Sequence, residues 1–340
     1  MSLVEAARRP AGDLPAGDPA GLWRAAKAVV AARQQGPPLE RRTRDEDLPL
    51  SCAQERVWLL QQLEPGTPAY NEPFAFRLGG PLDVEVLARC LQEIARRHEV
   101  LRTTFADVAS RPTQIVGPEG SVALRTIDLR DSGLAELEAE ALRLAAQEAA
   151  RPFDLACEPP LRATLVRLGP QLHILSVVAH QLAFDHPSRN LFTRELAALY
   201  GAFRAGRPSP LAELSVQYAD YALWQQQQGA ALESQLAYWE RQLGAGVAGV
   251  ELPADRPRPA AESYRGQTRY FEVPKAQTEA LRQLGRQQGV TLYVALVAAF
   301  KALLVAYTGQ EDILVISSAA GRTHPETPRL IGFFANLIAL

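Results

Sequence analysis

The stretch Leu161–His186 constrains this chain more than any other. Leu161 to Arg167 and Leu172 to Ala179 read as two strands meeting at Gly169-Pro170, a hairpin turn. The second strand is nearly all apolar (Ile174, Leu175, Val177, Val178), the pattern of a strand buried on both faces. It runs directly into His180-Gln181-Leu182-Ala183-Phe184-Asp185-His186-Pro187 and then a helix. Phe192, Leu196, Leu199 and Phe203 mark the buried face of that helix, and Gly206 suits its C-cap. Polar side chains therefore gather where a buried strand gives way to a loop and a helix, a favoured place for chemistry on a rigid scaffold.

Around this unit the pattern alternates between strand and helix. Phe74, Phe76 and Leu78 predict a strand. Val84, Leu87, Leu91, Ile94 and Ala95 put one apolar stripe on a helix. Helices are expected around Val216–Gln228 and Leu232–Leu243, then at Gln277–Gln288 and Leu292–Tyr307. Strands are expected at Thr268–Val273 and Ile313–Ser317. Leu252 to Pro259 holds three prolines, cannot be helical, and reads as an inter-lobe connector. Residues 1–47, with a Pro/Gly/Ala-rich start, a helix-compatible run from Leu22 to Gln35 and a charged end, read as a poorly ordered leader. With 340 residues, 47% of them hydrophobic, the chain can bury a large core, and the reading is α/β in two lobes.

Charge and cysteine use narrow the function classes. The 36 basic and 38 acidic side chains nearly cancel, leaving no global field for nucleic acid or an anionic membrane. The first ten residues hold no apolar signal segment, and Leu292 to Tyr307, interrupted by Lys301, is too short to span a bilayer. A cytoplasmic location is expected. Cys52, Cys90 and Cys157 form no CxxC pair and read as reduced, mostly buried thiols.

Five blocks stand in one order. They are Ser51-Cys52-Ala53-Gln54-Glu55-Arg56-Val57-Trp58; Arg97-His98-Glu99-Val100-Leu101-Arg102-Thr103-Thr104-Phe105; the cluster at 180–186; Tyr218-Ala219-Asp220-Tyr221-Ala222-Leu223-Trp224-Gln225; and Ile331-Gly332-Phe333-Phe334-Ala335-Asn336. Together they resemble the condensation domains of nonribosomal peptide synthetases, whose blocks read SxAQxR-hydrophobic-W, RHExLRTxF, HHxxxDG, YxDYAxWQ and IGxFVN. The resemblance covers about residue 48 to the end. It implies a chloramphenicol-acetyltransferase-like fold of two α/β lobes forming a V, here 48–211 and 212–340, with the second incomplete because the family's last two blocks are missing. An apolar edge is then expected around Phe333, Phe334 and Leu337. The implied partners are peptidyl and aminoacyl carrier proteins, whose phosphopantetheine arms carry the reacting thioesters; no cofactor of the chain's own is implied.

The third block departs from the family at two positions. Where the family has its second, catalytic His stands Gln181, and where it has Gly stands His186. An amide can orient a nucleophile but cannot take its proton. Loss of general base catalysis costs roughly 10²–10⁴-fold. His180 matches the first His, a structural brace in the family, and His186 lies one residue beyond Asp185, so it is expected to point elsewhere. The resemblance implies an ion pair between Asp185 and an Arg from the other lobe, best matched by Arg322, and a structural cross-lobe role for Arg102. A metal set of His173, His180, Asp185 and His186 is disfavoured, since seven residues along a strand put His173 and His180 on opposite faces. Trp58, Tyr218, Tyr221, Trp224 and Trp239 read as core or tunnel-wall aromatics. Three readings stay open: an impaired amide-forming acyltransferase, a carrier-binding scaffold without chemistry, and a decayed or partial fragment.

Overall fold

In the computed structural model, residues 38–44, 47–130, 134–244, 246, 249–257 and 269–340 are described. The apolar strand is β7 (Leu172–His180), the second strand of a four-stranded sheet ordered β2-β7-β6-β5. β6 (Leu161–Gly169) forms the antiparallel hairpin with it, and β2 (Asn71–Gly79) runs antiparallel on its other side, with Asn71 opposite His180. β5 (Leu124–Asp128) adds a parallel edge to β6.

Both faces of β7 are covered, which accounts for its continuous apolar sequence. Leu175, Val177 and Ala179 face the main core with α2 (Val84–Arg97) and α4 (His186–Arg204), the strand's pleat sending every second residue there. Ile174, on the other side, meets Leu137 and Ala141 of α3 (Leu134–Ala150). Val178 joins a second cluster with Val57 of α1 (Cys52–Leu63), Phe105, Phe153, Leu182 and Phe333. A second sheet, ordered β1-β4-β3, holds β1 (Leu48–Pro49), β3 (Thr103–Val108) and β4 (Arg111–Val116).

The remaining elements are α5 (Tyr218–Gln226), α6 (Gly229–Leu243), α7 (Lys275–Gln287), α8 (Leu292–Thr308) and the strands β8 (Ile316–Ala319) and β9 (Asn336–Ala339), which make a two-stranded sheet. Residues 269–273, expected as part of a strand, form none; Tyr270 and Phe271 are 93% and 85% exposed, with no neighbouring strand to bond among the described residues. Residues 249–257 have no regular structure, and the rest of the expected connector lies outside the described residues. No single helix among the described residues is long and apolar enough to cross a membrane; α7 and α8 reach that content only as a pair bent by 104°.

By contact the chain divides into two units, Met1–Gly229 with Ala320–Asn336, and Ala230–Ala319 with Leu337–Leu340. Ala212–Gly229, assigned from sequence to the second lobe, thus packs in the first unit, because Val216, Tyr218 and Tyr221 bury their side chains in the main core. The same holds for the return segment through Leu330, Ile331 and Phe334. Phe333 and Phe334 are therefore buried rather than part of an exposed edge, while Leu337 is exposed.

Two further expectations are corrected. Residues 38–44 are not a loose leader: Leu39 is buried in the main core and Arg42 and Arg44 bond to Asp220. The helix-compatible run Leu22–Gln35 lies outside the described residues. Of the cysteines, Cys90 is buried but Cys52 and Cys157 are exposed, Cys52 because it opens α1 just after the N-cap Ser51.

Candidate active site

His180 ends β7, and Gln181–Ala183 form a single 3₁₀ turn before Asp185 caps α4. The turn is fixed by the backbone: Gln181 N–H donates to the Tyr70 carbonyl at 2.9 Å and Phe184 N–H to the Gln181 carbonyl at 3.2 Å. Leu182 N–H donates to His180 Nδ1 at 3.2 Å, which places the ring proton on Nε2. That nitrogen is buried and has no acceptor among the described residues. The ring meets Phe153 edge-on at 5.7 Å, and the Arg162 guanidinium lies 3.7 Å over the same Phe153 ring. Burial, with the Arg162 charge adding to it, pushes the His180 pKa down to about 4. At neutral pH His180 is an uncharged brace for the loop.

Asp185 is 3% exposed and gathers four donors. Its Oδ1 accepts from Ser188 N–H at 2.9 Å, Ser188 Oγ at 2.6 Å and Arg322 Nη2 at 2.8 Å; its Oδ2 accepts from Phe334 N–H at 3.2 Å. Arg322 also donates to the carbonyls of Thr327 and Leu330, each at 2.6 Å, and lies 4.2 Å over the Phe334 ring. A buried carboxylate so supplied is compensated by both charge and geometry. Asp185 and Arg322 both lie within the first contact unit.

These contacts belong to a larger arrangement around Ile331–Phe334. Ile331 N–H donates to His98 Nδ1 at 3.2 Å, and Gly332 N–H to Ser188 Oγ at 3.1 Å. The Tyr218 hydroxyl donates to the Phe333 carbonyl at 2.5 Å, and Phe334 N–H goes to Asp185. Four side chains from three separate stretches thus hold the backbone of one tetrapeptide. Gly332 is required there, because a Cβ would overlap Cδ2 of the Tyr218 ring. The Ser51 hydroxyl lies 2.8 Å from the Tyr218 hydroxyl, and Gln54, which closes the capping box of α1 with Ser51, donates through Nε2 to the Leu182 carbonyl at 2.8 Å. His98 donates from Nε2 to Glu195 at 2.9 Å, and burial lowers its pKa, so it too is neutral. All five sequence blocks therefore meet in one buried polar network.

The family model described as "Condensation domain" matches residues 44–340. The chain belongs to the condensation-domain family. A linear gramicidin synthase polypeptide of Brevibacillus parabrevis is 46% identical over 299 residues, 87% of this chain and 4% of that protein. The phosphinothricin tripeptide synthetase PhsB of Streptomyces viridochromogenes is 41% identical over 325 residues, 93% of this chain and 27% of that protein. The chain thus spans a small part of the curated relatives it matches. Among solved structures, the X-domain from teicoplanin biosynthesis, in complex with OxyB, is 31% identical at a TM-score of 0.80, covering 90% of this chain and 67% of that one. The first condensation domain of the calcium-dependent antibiotic synthetase, in complex with a substrate analogue, is 28% identical at 0.74, covering 88% and 70%.

In this condensation domain the altered positions are placed differently from one another. Gln181 is half-buried on the turn, and its side chain makes no hydrogen bond among the described residues. His186 is exposed in the first turn of α4, where its Nε2 accepts from Arg189 Nη2 at 3.3 Å. Arg102 is corrected from a cross-lobe role: it donates to the carbonyl of Gly117 just after β4, in its own unit. Gly117 N–H returns a bond to the Arg102 carbonyl at 2.8 Å, closing the β3–β4 hairpin. His173 and His180 fall on opposite faces of β7, and among the described residues no group of three or more His, Cys, Asp or Glu is placed to hold a metal ion.

Sequence reasoning missed Ser188 and Glu72. Ser188 follows Asp185 by three residues, the spacing of an N-cap and its N3 partner, which was a readable signal. Glu72, opposite Ala179 in register, is half-buried, and burial pushes its pKa up against the opposing charge of Arg189. Nothing in its strand sequence marks it. Of the aromatics, Tyr218 and Tyr221 are buried in the core, whereas Trp239 is exposed on α6.

Proposed function

We propose that this chain is a condensation domain whose amide-forming chemistry is impaired, because Gln181 stands where the family has its catalytic histidine. In the reaction of the family, the acceptor amine attacks the donor thioester carbon, the C–N bond forms, the C–S bond breaks, and the amine must lose a proton. Gln181 can accept a hydrogen bond from the amine and hold it near the carbonyl, but cannot carry the proton away. The single observation that supports this reading is the contrast within one loop: Asp185, Ser188 and Arg322 form a buried hydrogen-bonded network, while the residue at the position of the family's proton acceptor is an amide. The proposed partners are carrier proteins with phosphopantetheine-bound acyl groups, and the substrates are proposed to meet at the 180–186 loop.

A second reading is a carrier- or protein-binding module without chemistry. It is favoured by the likeness to the X-domain, which was solved in complex with another protein, OxyB. One experiment separates the two. The chain is mixed with loaded donor and acceptor carriers, condensed product is sought by mass, and carrier binding is measured by calorimetry. Slow product supports the first reading; binding with no product supports the second. Neither product nor binding overturns both.

A further inference from the structure

Residues 38–44 cross two of the sequence blocks before β1 begins. Arg44 spans two acids: its Nε lies 2.8 Å from Glu99 Oε2 and its Nη1 2.8 Å from Asp220 Oδ1. Both carboxylates are buried, at 8% and 0% exposure, while Arg44 itself reaches solvent at 24%. Arg42 N–H adds a bond to Asp220 at 3.0 Å, Arg41 a weaker one to Glu99 at 3.3 Å, and Leu39 is anchored in the main core.

The two acids sit on the elements that hold Ile331–Phe334. Glu99 follows His98, which takes the Ile331 N–H; Asp220 is two residues after Tyr218, which bonds the Phe333 carbonyl. Gln217 ties these elements together. Its Oε1 accepts from Glu99 N–H at 3.0 Å, its Nε2 donates to the Arg97 carbonyl at 2.8 Å, and its N–H donates to Asp220 Oδ2 at 2.7 Å.

We propose that residues 38–44 are an ionic strap that couples the polypeptide upstream of Pro38 to the clamped tetrapeptide Ile331–Phe334. Removing the Arg44 cation leaves two buried carboxylates without their shared partner, a state the fold relieves by letting water reach them. The turn carrying His98 and the helix carrying Tyr218 then separate, and two of the four clamps loosen. Whatever displaces the segment before the strap is thereby felt beside the 180–186 loop, whether or not the domain is catalytic. The coupling runs through a contiguous set of hydrogen bonds rather than through proximity alone.

The test is native-state amide exchange on the full chain, comparing wild type with Arg44→Gln, Arg44→Lys and Asp220→Asn. Arg44→Gln should speed exchange at Ile331 and Phe334 by about tenfold or more while β6 and β7 keep their protection. Arg44→Lys retains the charge but cannot bridge both acids with a fork, so its effect should be intermediate. In the double variant Arg44→Gln/Asp220→Asn the two effects should be less than multiplicative, since both break one lock. Unchanged exchange at 331–334, or acceleration of every amide together, overturns the proposal. Should Arg44→Gln fail to fold, Arg44→Lys carries the same comparison, and equal acceleration of all its amides refutes the coupling.

Discussion

Gln181 and a histidine are similar in size and polarity, but only the histidine can hold a proton near neutral pH. The neighbours of Gln181 do titrate or pair, and their behaviour is testable. His180 is held near a pKa of about 4, below its ordinary value of about 6.5. The unfolded chain therefore binds a proton that the folded chain excludes, and stability is fully present above pH 6.5 and lost as pH falls toward 4. The loss should be roughly 3 kcal/mol across that window. Urea denaturation of wild type and His180→Asn at several pH values checks this; equal slopes in both would refute it. Asp185→Ala strands Arg322, a side chain only 10% exposed, and should destabilise by about 3–5 kcal/mol, read as a lower thermal midpoint. The Asp185–Arg322 pairing could be named from the resemblance because Asp185 sits in a readable motif and the family pairs that acid with an arginine, best matched here by Arg322. Ser188, three residues after Asp185, was readable as its capping partner, but its bond to Gly332, 144 residues away, was not.

At the scale of elements, legibility followed burial. β7 was readable because both faces are covered, and α2 because one apolar stripe meets the sheet. β5 was not, since as an edge strand it keeps charged and exposed residues, and α3 mixes Ala, Glu and Leu around its circumference. The strand expected at 268–273 had the right composition but no strand to pair with among the described residues. The return segment is the element most dependent on distant partners. Gly332→Ala drives a methyl into the Tyr218 ring while four bonds hold the backbone in place, so about 1–3 kcal/mol of overpacking cost is expected. Tyr218→Phe leaves the Phe333 carbonyl without its donor and takes one of the Ser51 hydroxyl's two bonds, at roughly 1–3 kcal/mol. Denaturant midpoints would reveal either; a neutral Gly332→Ala would mean the segment is free to shift.

At the scale of the molecule, the two-unit division was only partly legible, because many of the contacts that join Ala320–Asn336 to the first unit are made by its backbone groups, whose partners a sequence does not display. The second unit carries a consequence of its own. α8 buries only Leu304 and presents Tyr293, Leu296, Phe300 and Leu303, next in sequence to other exposed apolar residues such as Val290. Apolar surface of that extent favours association. The 340-residue chain should therefore show concentration-dependent sedimentation, relieved by Leu296→Lys with Phe300→Lys; a monomer across a wide concentration range would contradict this.

The central claim is the proposal that Gln181, standing at the position of the family motif's second histidine, impairs condensation. Single-turnover condensation of loaded carriers, followed by mass, tests it directly in wild type and in Gln181→His with His186→Gly. The double variant should exceed wild type by roughly 10²–10⁴-fold, the range that general base catalysis supplies. A wild-type chain that already condenses the carriers rapidly, at a rate unmoved by changing His180, Gln181 and His186, would contradict it.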